Sequence, residues 1–253
     1  MLLRYPGGKS RGPLKNLIVD RIARNYAGGS FGDVFLGGGG LLINILKAGI
    51  PQGDVFAAEK DSSLRRLWLD VQTKPEMLIN HIRTIRPSVG LFMRAKERVL
   101  NGTGHGVDAL VVNRMSHGGR GVMAGPQGGL NQDKKYLIDC RWNPDTLTKT
   151  VRGLSDLLRG VIVLDDYREA LDRSDFVYVD PPYWEVGNGL YLHSFDEPDH
   201  IELWERLKDR DGWVLSYNNV DEIHRLYSGF KIETTGTAGN GGDKPSSEVL
   251  IWA

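Results

Sequence analysis

Short apolar runs alternate with helix-like segments along this 253-residue chain, and four consecutive glycines interrupt the first alternation. The run SFGDVFL (30–36) stops at the glycines 37–40, and LLINILKAG (41–49) then has helical spacing and ends at a glycine. A second apolar run, DVFAAEKD (54–61), precedes another helical segment. Strands that alternate with helices predict an α/β fold with a doubly wound, Rossmann-like parallel sheet.

The middle of the chain has a different pattern. Residues 74–152 hold helical pieces and a stretch dense in glycine and polar residues, which is typical of helices joined by loops. Strand-like runs resume at 161–166, 175–184 and 212–219, and two more near the C-terminus predict a hairpin. We therefore predict a catalytic, cofactor-binding domain at 1–73 and 153–253, with a mainly helical recognition subdomain inserted at 74–152.

The charge is unevenly distributed although the net charge is zero. Residues 1–152 carry 23 basic against 12 acidic side chains, whereas residues 153–253 carry 9 against 20. An excess of +11 in one part of the chain is typical of a face that binds a polyanion. Two solvated faces that happen to balance give the same counts, so charge alone leaves both interpretations open.

Composition also bears on location. The sequence contains no run of eighteen apolar residues that could span a bilayer, and its start lacks the apolar core of a secretory signal. The single cysteine, Cys140, excludes an internal disulfide and any multi-thiolate metal site. We expect a cytoplasmic protein without a metal or a membrane partner.

The motif Asp180-Pro181-Pro182-Tyr183 follows the apolar run FVYV directly. The carboxyl end of a strand in an open α/β sheet faces the ligand crevice, so an acid there lies where a substrate would bind. Two prolines remove two N–H donors and leave carbonyl acceptors, so Asp180 and the Pro181 carbonyl could both accept hydrogen bonds from an amino group. Tyr183 offers a ring on which a planar base could stack.

Two further motifs indicate a ligand. The glycines after Asp33-Val34-Phe35-Leu36 let a backbone approach a ligand closely, and Glu59, which ends the next apolar run, could accept both hydroxyls of a ribose. Near the N-terminus, Tyr5-Pro6-Gly7-Gly8-Lys9 could wrap an anion or a carboxylate, although its spacing is not that of a phosphate-binding loop.

The ordered set PGGK, DVFLGGGG, an acid after the second strand and DPPY resembles the D12 class of adenine-N6 DNA methyltransferases, the Dam type. The likeness extends through VLSYNN to the closing SEVLIWA and covers nearly the whole chain. It implies a site-specific enzyme that transfers a methyl group from S-adenosylmethionine to N6 of a flipped-out adenine in duplex DNA, leaving S-adenosylhomocysteine. A monomer or weak dimer is expected.

The resemblance assigns roles to particular residues. Asp180, Pro181, Pro182 and Tyr183 would form the catalytic loop. Glu59 would hold the ribose, Asp166 and Tyr167 would lie near the adenine, and the glycines would lie near the methionine part of the cofactor. The full set of implied cofactor contacts is Tyr5, Pro6, Gly7, Gly8, Lys9, Phe35, Gly37, Gly38, Gly39, Glu59, Asp166, Tyr167 and Asp180.

The implied DNA contacts lie mainly in the segment NRMSHGGRG (113–121). They are Lys9, Asn113, Arg114, His117, Gly118 and Arg120. His117, Gly118 and Val122 depart from the residues of members that read GATC, which argues against GATC as the target of this chain. Methylation of cytosine N4, methylation of RNA and a catalytically silent DNA-binding protein remain alternatives, and restriction–modification is one of several biological roles left open.

Overall fold

The computed structural model describes residues 1–4, 12–184, 194–236 and 247–253. In these ranges seven strands form one sheet: β1 (Phe31–Asp33), β2 (Val55–Ala58), β3 (Ile162–Leu164), β4 (Phe176–Val179), β5 (Trp213–Asn218), β6 (Lys231–Gly236) and β7 (Ser247–Trp252). Their order is β3-β2-β1-β4-β5-β7-β6, and β7 runs antiparallel to both of its neighbours. All other pairings are parallel.

Strand β1 lies where the order of the sheet reverses. The chain moves from β1 outward through β2 to β3, and then returns to pair β4 on the other side of β1. In register, Asp33 pairs with Ala57 of β2 and with Tyr178 of β4. A ligand crevice forms outside the carboxyl ends of the strands at such a reversal. The fold therefore places the crevice beside Asp33 and the residues that follow β4.

Helices cover both faces of the sheet, as its alternating side chains require. One apolar cluster joins Phe31 and Tyr178 to α1 (Gly12–Asn25), α2 (Gly40–Lys47) and α3 (Ser62–Thr73). A second cluster joins Val177 and Val179 to residues of α8 (Tyr167–Asp172), α9 (Glu197–Leu207) and α10 (Asp221–Leu226). Neighbouring residues of β4 point to opposite faces, and both faces are buried. The predicted doubly wound, Rossmann-like α/β class is confirmed.

Four α-helices occupy the segment between β2 and β3 after α3. They are α4 (Pro75–Thr84), α5 (Val89–Leu100), α6 (Gly106–Met115) and α7 (Pro144–Leu157). Their buried side chains belong to the same cluster as those of α3. Helix α7 runs past residue 152 toward β3. The division of the chain into a catalytic domain and a recognition subdomain stays a prediction.

The C-terminal strands pair as the sequence indicates, with Lys231 opposite Trp252 and Gly236 opposite Ser247. Residues 237–246, which join them, lie outside the described ranges. Among the helices that the structure describes, each is too short or too polar to cross a lipid bilayer.

Candidate functional site

The candidate site lies at the carboxyl ends of β1, β2, β4 and β5. Asp33 ends β1, Glu59 follows β2, and Asp180 follows β4. Ser216 and Asn218 lie in the C-terminal half of β5. Parallel strands bring these positions, far apart in the sequence, to one edge of the sheet.

The Asp180 carboxylate is fixed from the neighbouring strand. Ser216 Oγ donates a hydrogen bond to Asp180 Oδ1 at 2.8 Å, and Ser216 Oγ also lies 2.8 Å from the Tyr178 hydroxyl. Pro181 is buried, whereas Asp180 itself is only partly covered. The buried hydroxyls of Ser216 and Tyr178 therefore support the Asp180 carboxylate from behind, while Asp180 itself stays partly accessible.

The rest of the loop after Asp180 is tied to β5 and β7. The Trp184 amide donates to Asn218 Oδ1 at 3.1 Å, and Asn218 Nδ2 donates to the Trp184 carbonyl at 2.9 Å. Tyr183 hydrogen-bonds to Glu248 of β7 and its ring lies 6.0 Å from that of Tyr217, centroid to centroid. Burial and the charge of Asp180 raise the pKa of Tyr183 well above its usual value. The hydroxyl of Tyr183 is therefore a donor at neutral pH.

Asp33 is an acid at the bottom of the crevice, 2% exposed. Burial, with the nearby charge of Asp180 as a second cause, raises its pKa to about 7. The amides of Phe35 and Leu42 hydrogen-bond to this carboxyl and partly offset that rise. Within the described ranges, its Oδ1 is buried without a hydrogen-bond partner. A ligand that carries a positive charge or N–H donors would compensate that oxygen.

Glu59 is buried at the end of β2, with 8% of its surface exposed. The Asp61 amide donates to Glu59 Oε1 at 2.9 Å, and the Gly37 amide also hydrogen-bonds to this carboxyl. Burial is the largest cause that raises its pKa to about 8, and the charge of Asp61 adds to the rise. When this carboxyl is ionised, each of its two oxygens at the glycine turn can accept a hydrogen bond from a ribose hydroxyl.

The glycine turn joins β1 to α2 with backbone angles that favour glycine. Gly37 and Gly39 have φ of 46° and 64°. A Cβ on Gly39 would lie 2.8 Å from the Trp68 ring, and Trp68 Nε1 donates to the Gly37 carbonyl at 3.0 Å. The turn therefore requires glycine at position 39 both for its backbone angle and for its close contact with α3. Gly38 lies between them, in the same turn.

An aromatic cluster packs on the α8–α9 face of the sheet. Phe35 stacks on Tyr167 with centroids 5.0 Å apart, and Phe195 contacts both rings. His200 packs against Phe195 and Trp184 and hydrogen-bonds to the Tyr217 hydroxyl. Burial lowers the pKa of His200 to about 4, so its ring is neutral at physiological pH.

The resemblance implies that Asp166 and Tyr167 lie near an adenine. In the structure both residues have contacts within the protein. Asp166 caps α8 by accepting the Arg168 amide at 2.9 Å, and it also faces the Arg168 guanidinium at 3.4 Å. Tyr167 stacks in the aromatic cluster, and burial raises its pKa to about 12. Both residues lie at the end of β3, next in the sheet to β2 and Glu59.

The predicted nucleic-acid contacts lie on α6 and the loop after it. The Asn113 side-chain amide is buried. Its Oδ1 accepts a hydrogen bond from the Arg4 amide at 2.8 Å, and its Nδ2 donates to the Arg4 carbonyl at 2.6 Å. Arg114 is partly buried and donates to the Met1 carbonyl at 3.0 Å. Residues His117, Gly118 and Arg120 are exposed. Their contact with DNA stays a prediction, as does that of Lys9.

Arg4, Arg114 and Arg141 form a cationic cluster. Burial is the largest cause that lowers the pKa of Arg4 and of Arg114, and each feels the charge of Arg141 as well. The main-chain clamp by Asn113 fixes the position of Arg4 in this cluster. Like charges held together attract an anion.

A search against protein-family models found no match, and a search of curated proteins found none either. The chain is similar in structure to a provisionally assigned rRNA-methylase from Clostridium thermocellum, at 12% identity and a TM-score of 0.43 over 94% of this chain and 96% of the other. It is also similar to a precorrin-8W decarboxylase from Methanobacterium thermoautotrophicum, at 14% identity and a TM-score of 0.39 over 98% and 94% of the two chains. At these levels neither likeness says what this chain binds or does.

The structure brings Phe35, Glu59, Tyr167 and Asp180 to one edge of the sheet, together with the glycines 37–39. Residues Tyr5, Pro6, Gly7, Gly8 and Lys9 lie outside the described ranges. Sequence reasoning misses Ser216, Asn218 and Glu248 as partners of the loop at 180–184, and it gives Asp33 no role. The signal available for Asp33 is that it is the one acid inside the apolar run 30–36, which leads into the glycine turn.

Proposed function

We propose that this chain is an S-adenosylmethionine-dependent methyltransferase that methylates N6 of adenine in duplex DNA. The observation that carries the proposal is the Asp180 carboxylate, held by Ser216 at the edge of the sheet where the strand order reverses beside β1. It is followed by Pro181 and Pro182, which offer carbonyl acceptors without competing donors, and by Tyr183.

The residues present fit the cofactor. Asp33 has a buried carboxylate oxygen without a partner among the described residues, which suits the positive charge of S-adenosylmethionine. Glu59 has two carboxyl oxygens at the glycine turn, which suit the ribose hydroxyls. When bound, S-adenosylmethionine supplies a methyl group on an activated sulfonium leaving group.

The chain's own residues would then act on the amino group of the base. An adenine in a duplex is unreachable, so it is flipped out at a cost of a few kcal/mol. Asp180 Oδ and the Pro181 carbonyl accept hydrogen bonds from N6, which favours a more tetrahedral nitrogen and stabilises the positive charge that develops on it. On receiving the methyl group, N6 would release one proton along these hydrogen bonds to solvent. Orientation of the two reactants supplies much of the remaining acceleration.

A polyanionic substrate is supported by charge. The region 74–152 carries 13 basic and 6 acidic side chains. The cluster of Arg4, Arg114 and Arg141 connects that region to the N-terminal segment. Duplex DNA, with its dense phosphate charge, fits such a surface. The oligomeric state, the cytoplasmic location and the recognition sequence stay predictions.

The substrate class is tested by incubating the protein with cofactor that carries a tritiated methyl group and with duplex DNA, single-stranded DNA or RNA. We expect label in duplex DNA, loss of labelling in Asp180→Asn, and normal labelling in Asp211→Asn. Asp211 is an exposed acid before the opposite end of β5, which makes it a matched control. Label in RNA alone would support the RNA alternative, and DNA binding without label would support a catalytically silent protein.

A further inference from the structure

A short hydrogen-bond chain runs behind the catalytic loop. Val179 pairs in register with Leu215, so the next residues, Asp180 and Ser216, lie side by side at the edge of the sheet. Ser216 Oγ donates to Asp180 Oδ1 at 2.8 Å, and Tyr178 Oη lies 2.8 Å from Ser216 Oγ. Ser216 is fully buried and Tyr178 is 1% exposed, so water does not compete for these groups.

The direction of the chain follows from proton counting. A serine hydroxyl has one proton, and in Ser216 that proton is directed at Asp180. The Tyr178 hydroxyl must therefore be the donor in the second hydrogen bond. Burial, and after it the charge of Asp180, raises the pKa of Tyr178 well above its usual value, so this phenol keeps its proton. The result is a single orientation, from Tyr178 through Ser216 to Asp180.

We propose that Ser216 and Tyr178 are positioning residues that fix the orientation of the Asp180 carboxylate for methyl transfer. This inference rests on the proposed function. With Oδ1 committed to Ser216, rotation of the carboxylate about its bond to Cβ is restricted, and the second oxygen keeps a fixed direction relative to the crevice. Both side chains are buried behind Asp180, so neither would touch the substrate amino group.

A positioning role affects the rate more than the affinity. A misplacement of about 1 Å in a reacting group can cost about a hundredfold in rate, whereas substrate binding depends on many other contacts. Loss of the Ser216 hydroxyl should therefore lower kcat and leave the KM values for cofactor and DNA nearly unchanged. Tyr178 acts only through Ser216, so its removal should add nothing once Ser216 is gone.

The test compares Ser216→Thr with Ser216→Val. The two variants have nearly the same shape and the same extra bulk in the buried site, and only threonine keeps the hydroxyl. We expect Ser216→Val to have a kcat about 10- to 100-fold below that of Ser216→Thr, with KM values within about twofold. Tyr178→Phe should lower kcat less, and the double variant S216V/Y178F should be no slower than S216V.

Equal kcat values for the valine and threonine variants would overturn the proposal. A kcat of the double variant that is lowered by the product of the two single-variant losses would overturn it as well. If the wild-type protein transfers no methyl group to any nucleic acid, the proposed function fails separately. Crystal structures of Ser216→Thr and Ser216→Val then decide the positioning role. A shift of the Asp180 carboxylate by about 1 Å in the valine variant alone supports it, and an unchanged carboxylate refutes it.

Discussion

Glu59 should make the protein less stable as the pH rises. Burial raises its pKa from 4.5 to about 8, while the amides of Asp61 and Gly37 limit the rise. A group whose pKa is higher in the folded than in the unfolded state binds its proton more tightly when folded. The protonated Glu59 carboxyl therefore contributes its full stabilisation below about pH 4.5, and this stabilisation is lost as the pH rises through about 8.

The size of the effect follows from the two pKa values. At about 1.4 kcal/mol for each pH unit, the interval between 4.5 and about 8 corresponds to about 5 kcal/mol of unfolding free energy. That is a large fraction of the unfolding free energy of a folded domain, which is roughly 5–15 kcal/mol. Glu59→Gln replaces the carboxyl by an amide that cannot ionise, so this part of the pH dependence should disappear.

The assay is urea unfolding followed by tryptophan fluorescence at intervals from pH 5 to pH 9, with no cofactor added. We expect the unfolding free energy of Glu59→Gln, relative to wild type, to increase from pH 5 to about pH 8 and to level off above it. Glu97→Gln, at an exposed position, is the matched control and should follow wild type. Parallel curves for wild type and Glu59→Gln would show that Glu59 ionises in the folded protein without cost, which would refute the reasoning.

Three further expectations rest on particular contacts. Gly39→Ala should lower the unfolding free energy by about 1–3 kcal/mol more than Gly49→Ala does. Both glycines have φ of +64°, but only a Cβ on Gly39 would meet the Trp68 ring, so equal losses of stability would contradict this expectation. In urea unfolding, Tyr167→Phe should leave the unfolding free energy unchanged or raise it by about 1 kcal/mol, because the buried Tyr167 hydroxyl has no hydrogen-bond partner among the described residues. A loss above about 1 kcal/mol would contradict this expectation. Arg120→Ala should reduce the slope of log Kd for duplex DNA against log salt by about 1, and an unchanged slope would remove Arg120 from the phosphate contacts.

Much of the fold is encoded locally, and that part is predictable from the sequence. Apolar runs, glycine turns and helical spacing depend on neighbouring residues, so the alternation that predicts a doubly wound sheet is visible in the order of the amino acids. Helix α6 (Gly106–Met115) is not predicted, because glycines flank it and most of its residues are buried, so it has no polar face to give a helical period.

The contacts within the site are harder to predict because they join distant parts of the chain. The motif around Asp180 identifies that residue, but Ser216 lies 36 residues away and is brought to it only by the parallel pairing of two strands. The resemblance at 113–114 implies Asn113 as a DNA contact, which stays a prediction. Its side-chain amide holds the backbone of Arg4, which is 109 residues away, and no local pattern indicates this contact.

The central claim is tested most directly by identifying the methylated atom. Duplex DNA is incubated with the protein and saturating S-adenosylmethionine, digested to nucleosides and separated by chromatography with mass detection. We expect N6-methyldeoxyadenosine with the wild-type protein and none with Asp180→Asn. N4-methyldeoxycytidine in its place, or the absence of N6-methyldeoxyadenosine after prolonged incubation, would contradict the account.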